Sequence, residues 1–142
     1  MGSHPNRSHP PGDRYLRVSF CRGFFKMNRI ERPKFVQGET IKLTTGCGSL
    51  YVSVGYLDGR KPIEVFATMG KAGGCTTCQN EALTRSITLG LKYGIPLQEI
   101  IEELENLECP NKNMWPVEER VLSCADGIAK ALRRFTDADS ET

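Results

Sequence analysis

The feature that most restricts how this chain can fold is a change of period. Leu50, Val52, Val54 and Tyr56 fall on every second position, and so do Ile63, Val65, Ala67 and Met69. That spacing places each set on one face of an extended strand. After Gly73 and Gly74 the interval becomes three and four residues, through Cys75, Cys78, Ala82, Leu83, Ile87 and Leu91, which is the spacing of one helix face. A strand region therefore gives way to a helical one near residue 74.

The flanking sequence extends both parts. Ile41 and Leu43 alternate with Thr40, Lys42 and Thr44, so a further strand precedes the first pair. Leu-Asp-Gly-Arg-Lys-Pro, from Leu57 to Pro62, supplies the turn residues of a hairpin. The first helix should stop at Gly94, before Pro96. A second starts with Pro96 in its first turn and turns Leu97, Ile100, Ile101, Leu104 and Leu107 inward. A loop punctuated by Pro110 and Pro116 follows. The third helix sets Cys124, Ile128, Leu132 and Phe135 on one stripe, with Ser123 as N-cap and Arg133 and Arg134 at the negative end of the dipole. The expected fold is α+β: a small antiparallel sheet of about three strands, then three helices packed on one of its faces.

At 142 residues the chain has room for one modest core. We divide it into a flexible basic N-terminal arm (1–31), an ordered domain (32–136) and an acidic tail (137–142). No window approaches the roughly 18 to 20 apolar residues that cross a bilayer, and no apolar segment follows the basic N-terminus as in a secretory signal. A cytoplasmic location is the expectation, with no membrane contact. A net charge of +2 is too mild to argue for nucleic acid. Aromatic residues do interleave with basic ones in the arm, at Tyr15, Phe20, Phe24 and Phe25, yet such residues more often anchor a core than stack on bases. No nucleic-acid partner is expected.

Six cysteines in a reducing compartment read as metal ligands, redox groups or small buried apolar residues before they read as disulfides. Cys47 sits in a Gly-Cys-Gly turn, Cys75 and Cys78 open the first helix, Cys109 follows the second and Cys124 opens the third. All five fall at element ends, where side chains from distant segments can meet; Cys21 lies apart in the arm. Helix starts stabilise a thiolate, which suits metal binding and dithiol chemistry equally. Zinc takes four thiolate or imidazole ligands, and the two histidines, His4 and His9, lie in the tail-like N-terminus, so cysteines alone would have to supply such a site. The spacing leaves all three readings open.

Several ordered motifs carry a resemblance. TGCGSLYV (45–52), GRKPIEVFATMGKAGGC (59–75), EALTRSITLGLKYGIPLQEII (81–101), the Cys109-Pro110 dipeptide and SCADGIAKAL (123–132) resemble the TSCPD domain. That family is known chiefly as the C-terminal part of adenosylcobalamin-dependent (class II) ribonucleotide reductases. The resemblance spans roughly residues 32 to 135 and places the family's cysteines on Cys47, Cys75, Cys109 and Cys124. It thereby implies a four-cysteine metal site, with structural zinc as the expected ion. Two positions depart from the pattern: Cys78, where the family more often has a small apolar residue, and Ala125, where the name-giving motif has proline.

A complete reductase needs a nucleotide barrel, a thiyl-forming cysteine and a cobalamin pocket, for which this chain is too short. What the resemblance implies is a non-catalytic accessory domain or small subunit in a ribonucleoside-diphosphate reductase system. Its partner would be a large chain that carries the cobalamin, and self-association into a homo-oligomer is compatible with it. The competing expectation is a dithiol redox module using Cys75 and Cys78.

Overall fold

The computed structural model describes residues 28–70 and 74–136. Most of the expected arm, Cys21, both histidines and the acidic tail lie outside the described residues. Three strands form one antiparallel sheet in the order β1-β2-β3: β1 (Gln37–Thr45), β2 (Gly48–Leu57) and β3 (Lys61–Met69). Three helices follow: α1 (Gly74–Lys92), α2 (Leu97–Leu104) and α3 (Cys124–Arg133). This is the expected α+β arrangement.

The period-two alternation explains the sheet. Ile41 pairs with Val52, which pairs with Ala67, and Leu43 with Leu50, which pairs with Met69, so one face of all three strands is apolar. On it Leu50, Val52, Val54 and Val65 are buried against Ile87, Leu91, Ile101, Ile128, Leu132 and Phe135 from the helical half. The opposite face carries Thr40 and Ser53, joined by a hydroxyl hydrogen bond of 2.8 Å, and an exposed Phe66. Among the described residues, the helices therefore cover one face. α1 packs on β3, and α3 packs on α2 and against β1 and β2.

The helical stripes depart from expectation where polar residues take core positions. In α1 the buried residues are Asn80, Thr84, Ile87 and Leu91, not Cys78 and Ala82, both of which are exposed. Hydrogen bonds make the exchange possible. The Thr84 hydroxyl donates to the Asn80 carbonyl at 2.9 Å. One turn on, Thr88 Oγ1 accepts from the Val65 N–H at 2.9 Å and donates to the Val65 carbonyl at 3.2 Å. Those two groups lie on the outer edge of β3, so α1 satisfies an edge that would otherwise be open to pairing. Leu107, expected inward, is 49% exposed because α2 ends at Leu104. Pro96 stands just outside α2 as its N-cap residue, as its missing N–H allows.

α3 matches its reading closely. Ser123 Oγ accepts from the Asp126 N–H at 3.1 Å and caps the helix, and Ile128 and Leu132 are fully buried. Phe135 is also fully buried although it follows the helix; its ring centroid lies 5.7 Å from that of Tyr56. The segment between α2 and α3 is more ordered than two prolines suggest. Asn113 and Val121 form an antiparallel bridge, with N–H···O distances of 2.8 and 2.9 Å, and the Cys109 N–H donates to the Leu122 carbonyl at 3.0 Å. No described helix is long and apolar enough to cross a membrane.

Candidate metal centre

Four element ends meet at one edge of the sheet. The β1–β2 hairpin has a two-residue loop, Gly46-Cys47, between the paired Thr45 and Gly48. Thr45 shapes it: its hydroxyl donates to the Gly48 carbonyl at 2.8 Å and accepts from the Cys47 N–H at 3.2 Å. Gly46 is required because the backbone of the α2–α3 segment lies against it. A Cβ on residue 46 would stand 2.0 Å from the Asn111 carbonyl oxygen. That close approach brings Cys47 beside Cys109.

Asn111 links the two thiols. Its side-chain Nδ2 donates to Cys47 Sγ at 3.6 Å, long for oxygen but within reach of the larger sulfur, and its carbonyl accepts from Cys109 Sγ at 3.3 Å. The segment that carries Cys109 is held at both ends by the carboxylate of Asp126, which is 1% exposed. Oδ1 accepts from the Asn106 N–H and Oδ2 from the Leu122 N–H, each at 3.0 Å, and Oδ2 also receives Lys130 Nζ at 2.6 Å. Burial alone would raise the Asp126 pKa; the donors from Lys130, Leu122 and Asn106 outweigh it and hold the carboxyl below its ordinary value.

Cys124, half-buried at the start of α3, packs against the hydrophobic core. Burial pushes its thiol up, and proximity to Cys47 and Cys109 adds to the rise, while Asn80 and Thr45 pull against it by favouring the ionised form. Asn80 is 4% exposed, and its Nδ2 has no acceptor within ordinary hydrogen-bond distance; it acts on the Cys124 thiol only from farther off. A buried donor without an acceptor is costly, about 1–3 kcal/mol. Beside a cluster of thiols it suits negative charge on sulfur.

Cys47, Cys75, Cys109 and Cys124 line one cavity of about 480 Å³, together with Gln79, Asn80 and Leu83. Helical geometry separates the two cysteines of α1. At 100° per residue, the cavity-lining positions of α1 centre roughly 70° round from Cys75, whereas Cys78 points about 130° away from that centre. Cys78 is exposed and does not line the cavity. As the side chains stand, no three Cys, His, Asp or Glu residues among the described ones are grouped to hold a metal ion, so closing on one would require the thiols to draw together. In number and softness four thiols fit zinc, and the unpartnered Asn80 amide fits a thiolate set.

Sequence reasoning missed the residues that organise this edge: Gly46, Asn80, Asn111 and Asp126. Asp126, three residues after the capping Ser123, carries a familiar first-turn signal. Asn80 and Asn111 carry no motif.

The comparisons agree with the motifs. A family model described as the TSCPD domain matches residues 24–136. The chain is 34% identical over 74 residues to a vitamin B12-dependent ribonucleotide reductase of Agrobacterium fabrum (strain C58 / ATCC 33970). That match covers 52% of this chain and 6% of the reductase. No solved structure matches. With the greater part of its length matched by that family's model, the chain belongs to the TSCPD domain family.

Proposed function

We propose that this chain is an accessory domain or small subunit of an adenosylcobalamin-dependent ribonucleotide reductase, not itself catalytic, in which Cys47, Cys75, Cys109 and Cys124 hold a structural zinc ion. The reading is carried by one observation: cysteines from four separate segments line a single cavity. The similarity to a B12-dependent reductase supports the reductase system as its setting, and cobalamin would belong to the large chain. Both would work in the cytoplasm.

Zinc, when bound, would supply a tetrahedral cross-link and no redox chemistry. The chain's own residues would do the rest. Thr45 and Gly46 hold the hairpin turn against Asn111, Asp126 fixes the Cys109 segment, Ser123 fixes the turn that presents Cys124, and Asn80 would donate to a thiolate. Because Ile128, Leu132 and Phe135 are fully buried and Cys124 only flanks that core, zinc would brace one edge of a folded domain.

Elemental analysis of the full chain, with a thiol count before and after chelation, tests the metal reading. The expected result is about one zinc per chain, with about four thiols released on chelation and far-UV circular dichroism retained. Cys109→Ser and Cys124→Ser should lose the metal, whereas Cys78→Ser should keep it. A metal-free protein in which mild oxidant reversibly removes only the Cys75 and Cys78 thiols would establish the dithiol reading instead. The accessory role is tested separately by affinity capture from native extract; failure to recover a reductase large chain under conditions that preserve zinc would refute that role alone.

A further inference from the structure

The face between α1 and α2 is apolar and uncovered by any described segment. Ile87, Gly90, Ile95, Ile100 and Leu104 line a groove of about 280 Å³, with Glu99 and Glu103 on its rim. This volume is below the roughly 300–1,000 Å³ of small-molecule sites, so it suits an inserted side chain better than a free ligand. The apolar surface continues beyond the groove. Leu89 (51% exposed) and Tyr93 (38%) lie within about 60° of the groove-lining Ser86 around the α1 axis, and Ile95 is 46% exposed. Neither rim glutamate has an ion-pair partner among the described residues.

The chain itself supplies a matching segment. Residues 14–27, RYLRVSFCRGFFKM, carry Arg14, Arg17, Arg22 and Lys26 and no acidic residue, interleaved with Leu16, Val18, Phe20, Phe24 and Phe25. The point where this segment joins the described structure is next to the groove. The Ile30 N–H donates to the Lys92 carbonyl at 2.8 Å, and Gly90, two residues before Lys92, lines the groove. Fourteen residues reach about 46–50 Å when extended, far beyond the roughly 12 Å length of the eight-residue α2. A tether this short gives an effective concentration of order millimolar, enough to favour even weak apolar contacts.

We propose that residues 14–27 fold back onto the α1–α2 groove, seating aromatic side chains from Phe20, Phe24 and Phe25 against Ile87, Ile95 and Ile100 and setting their arginines on Glu99 and Glu103. The occupant is the chain's own arm. The segment is basic where the rim is acidic, apolar where the groove is apolar, and anchored at the groove's end.

Amide hydrogen exchange on the full-length chain tests this with three variants: Arg17→Glu/Arg22→Glu in the arm, Glu99→Lys/Glu103→Lys on the rim, and the two combined. Two exposed charge pairs should be worth about a fivefold change in exchange at residues 86–104. Each single-side variant is expected to exchange faster there by that factor, the combined charge swap to restore protection, and the sheet amides to stay unchanged throughout. Phe24→Asp/Phe25→Asp should release the groove without touching the rim. Unchanged exchange at 86–104 in both arm variants would overturn the proposal. So would protection that rises with protein concentration, which would assign the groove to a second copy.

Discussion

Replacing Asp126 should both destabilise the domain and loosen the Cys109 segment, because one carboxylate closes both ends of that segment. In Asp126→Ala the Leu122 N–H, on a residue only 6% exposed, loses its acceptor away from water, which costs about 1–3 kcal/mol. The Asn106 N–H belongs to an exposed residue and can turn to solvent, so its lost charge-assisted bond costs about 1 kcal/mol. The ion pair to Lys130, whose side chain is 38% exposed, contributes at most about 1 kcal/mol. The total is about 2–5 kcal/mol. With a urea m-value of about 2 kcal/mol/M, mid-range for a small domain, the unfolding midpoint should fall by roughly 1–2.5 M at unchanged m. Asp126→Asn keeps one acceptor oxygen and should cost about half as much, while Lys130→Met should cost under about 1 kcal/mol. Hydrogen exchange in Asp126→Ala should accelerate first in residues 106–122. If Asp126→Asn costs less than about 0.5 kcal/mol, or Lys130→Met costs as much as Asp126→Ala, the carboxylate is not acting as the acceptor of both backbone groups and the reasoning fails.

Three further outcomes follow from the same geometry. Gly46→Ala puts a methyl group 2.0 Å from the Asn111 carbonyl; overpacking of this kind costs about 1–3 kcal/mol, and a lowered thermal midpoint with faster alkylation of Cys47 and Cys109 would show that the turn and the segment have parted. Thr88→Val preserves shape but removes both bonds to the β3 edge, at about 1–3 kcal/mol; calorimetry should detect it, and an unchanged midpoint would mean that water satisfies that edge. The Asp126 carboxyl titrates below its unfolded value of about 3.9, so its contribution is complete above about pH 4 and fades as pH falls through the depressed folded value. Asp126→Asn should therefore flatten the acid limb of the stability curve, and an acid limb identical to that of the unaltered chain would refute it.

The sheet was legible because the centre of its core face is apolar in period two: Ile41, Leu50, Val52, Val54, Val65 and Ala67 are all buried. α1 was legible as a helix and in the phase of its second half, where Ile87 and Leu91 are buried, but not in the phase of its first half. Its buried face includes Asn80 and Thr84, whose polar groups a hydrophobic pattern counts as solvent-facing, so Cys78 and Ala82 were turned inward by mistake. Leu107 was misassigned because nothing in LENL signals that the helix has already ended at Leu104. The candidate site shows the reverse case. Cysteine spacing left metal, redox and core readings open, and the family motifs selected Cys47, Cys75, Cys109 and Cys124, which line one cavity. Asp126 carries a local first-turn signal, but Gly46 and Asn111 act through contacts between distant segments, such as Asn111 to Cys47 across 64 positions, and no local pattern encodes those.

Three of the four cysteines are positioned by bonds made elsewhere. Cys47 is held by Thr45 within a hairpin whose register is fixed from Gln37↔Tyr56 to Thr45↔Gly48. Cys109 is held through Leu122, which Asp126 also binds. Cys124 is held by the Ser123 cap and by packing on the core. Each restraint is complete without any ligand, so the ordering entropy of those segments is already spent when a ligand arrives, and less of its binding energy is diverted to folding. A zinc finger is the opposite limit, where metal affinity and folding energy are one quantity. On the proposed metal reading the two would be separable in this chain, because the hydrogen bonds of Thr45, Ser123 and Asp126 and the buried apolar face of the sheet already support the fold. Cys75, exposed at the start of α1, has no such restraint among the described residues, so of the four thiols that would draw together around an ion it would be the least preorganised, and the affinity of a four-thiolate site would be most sensitive there.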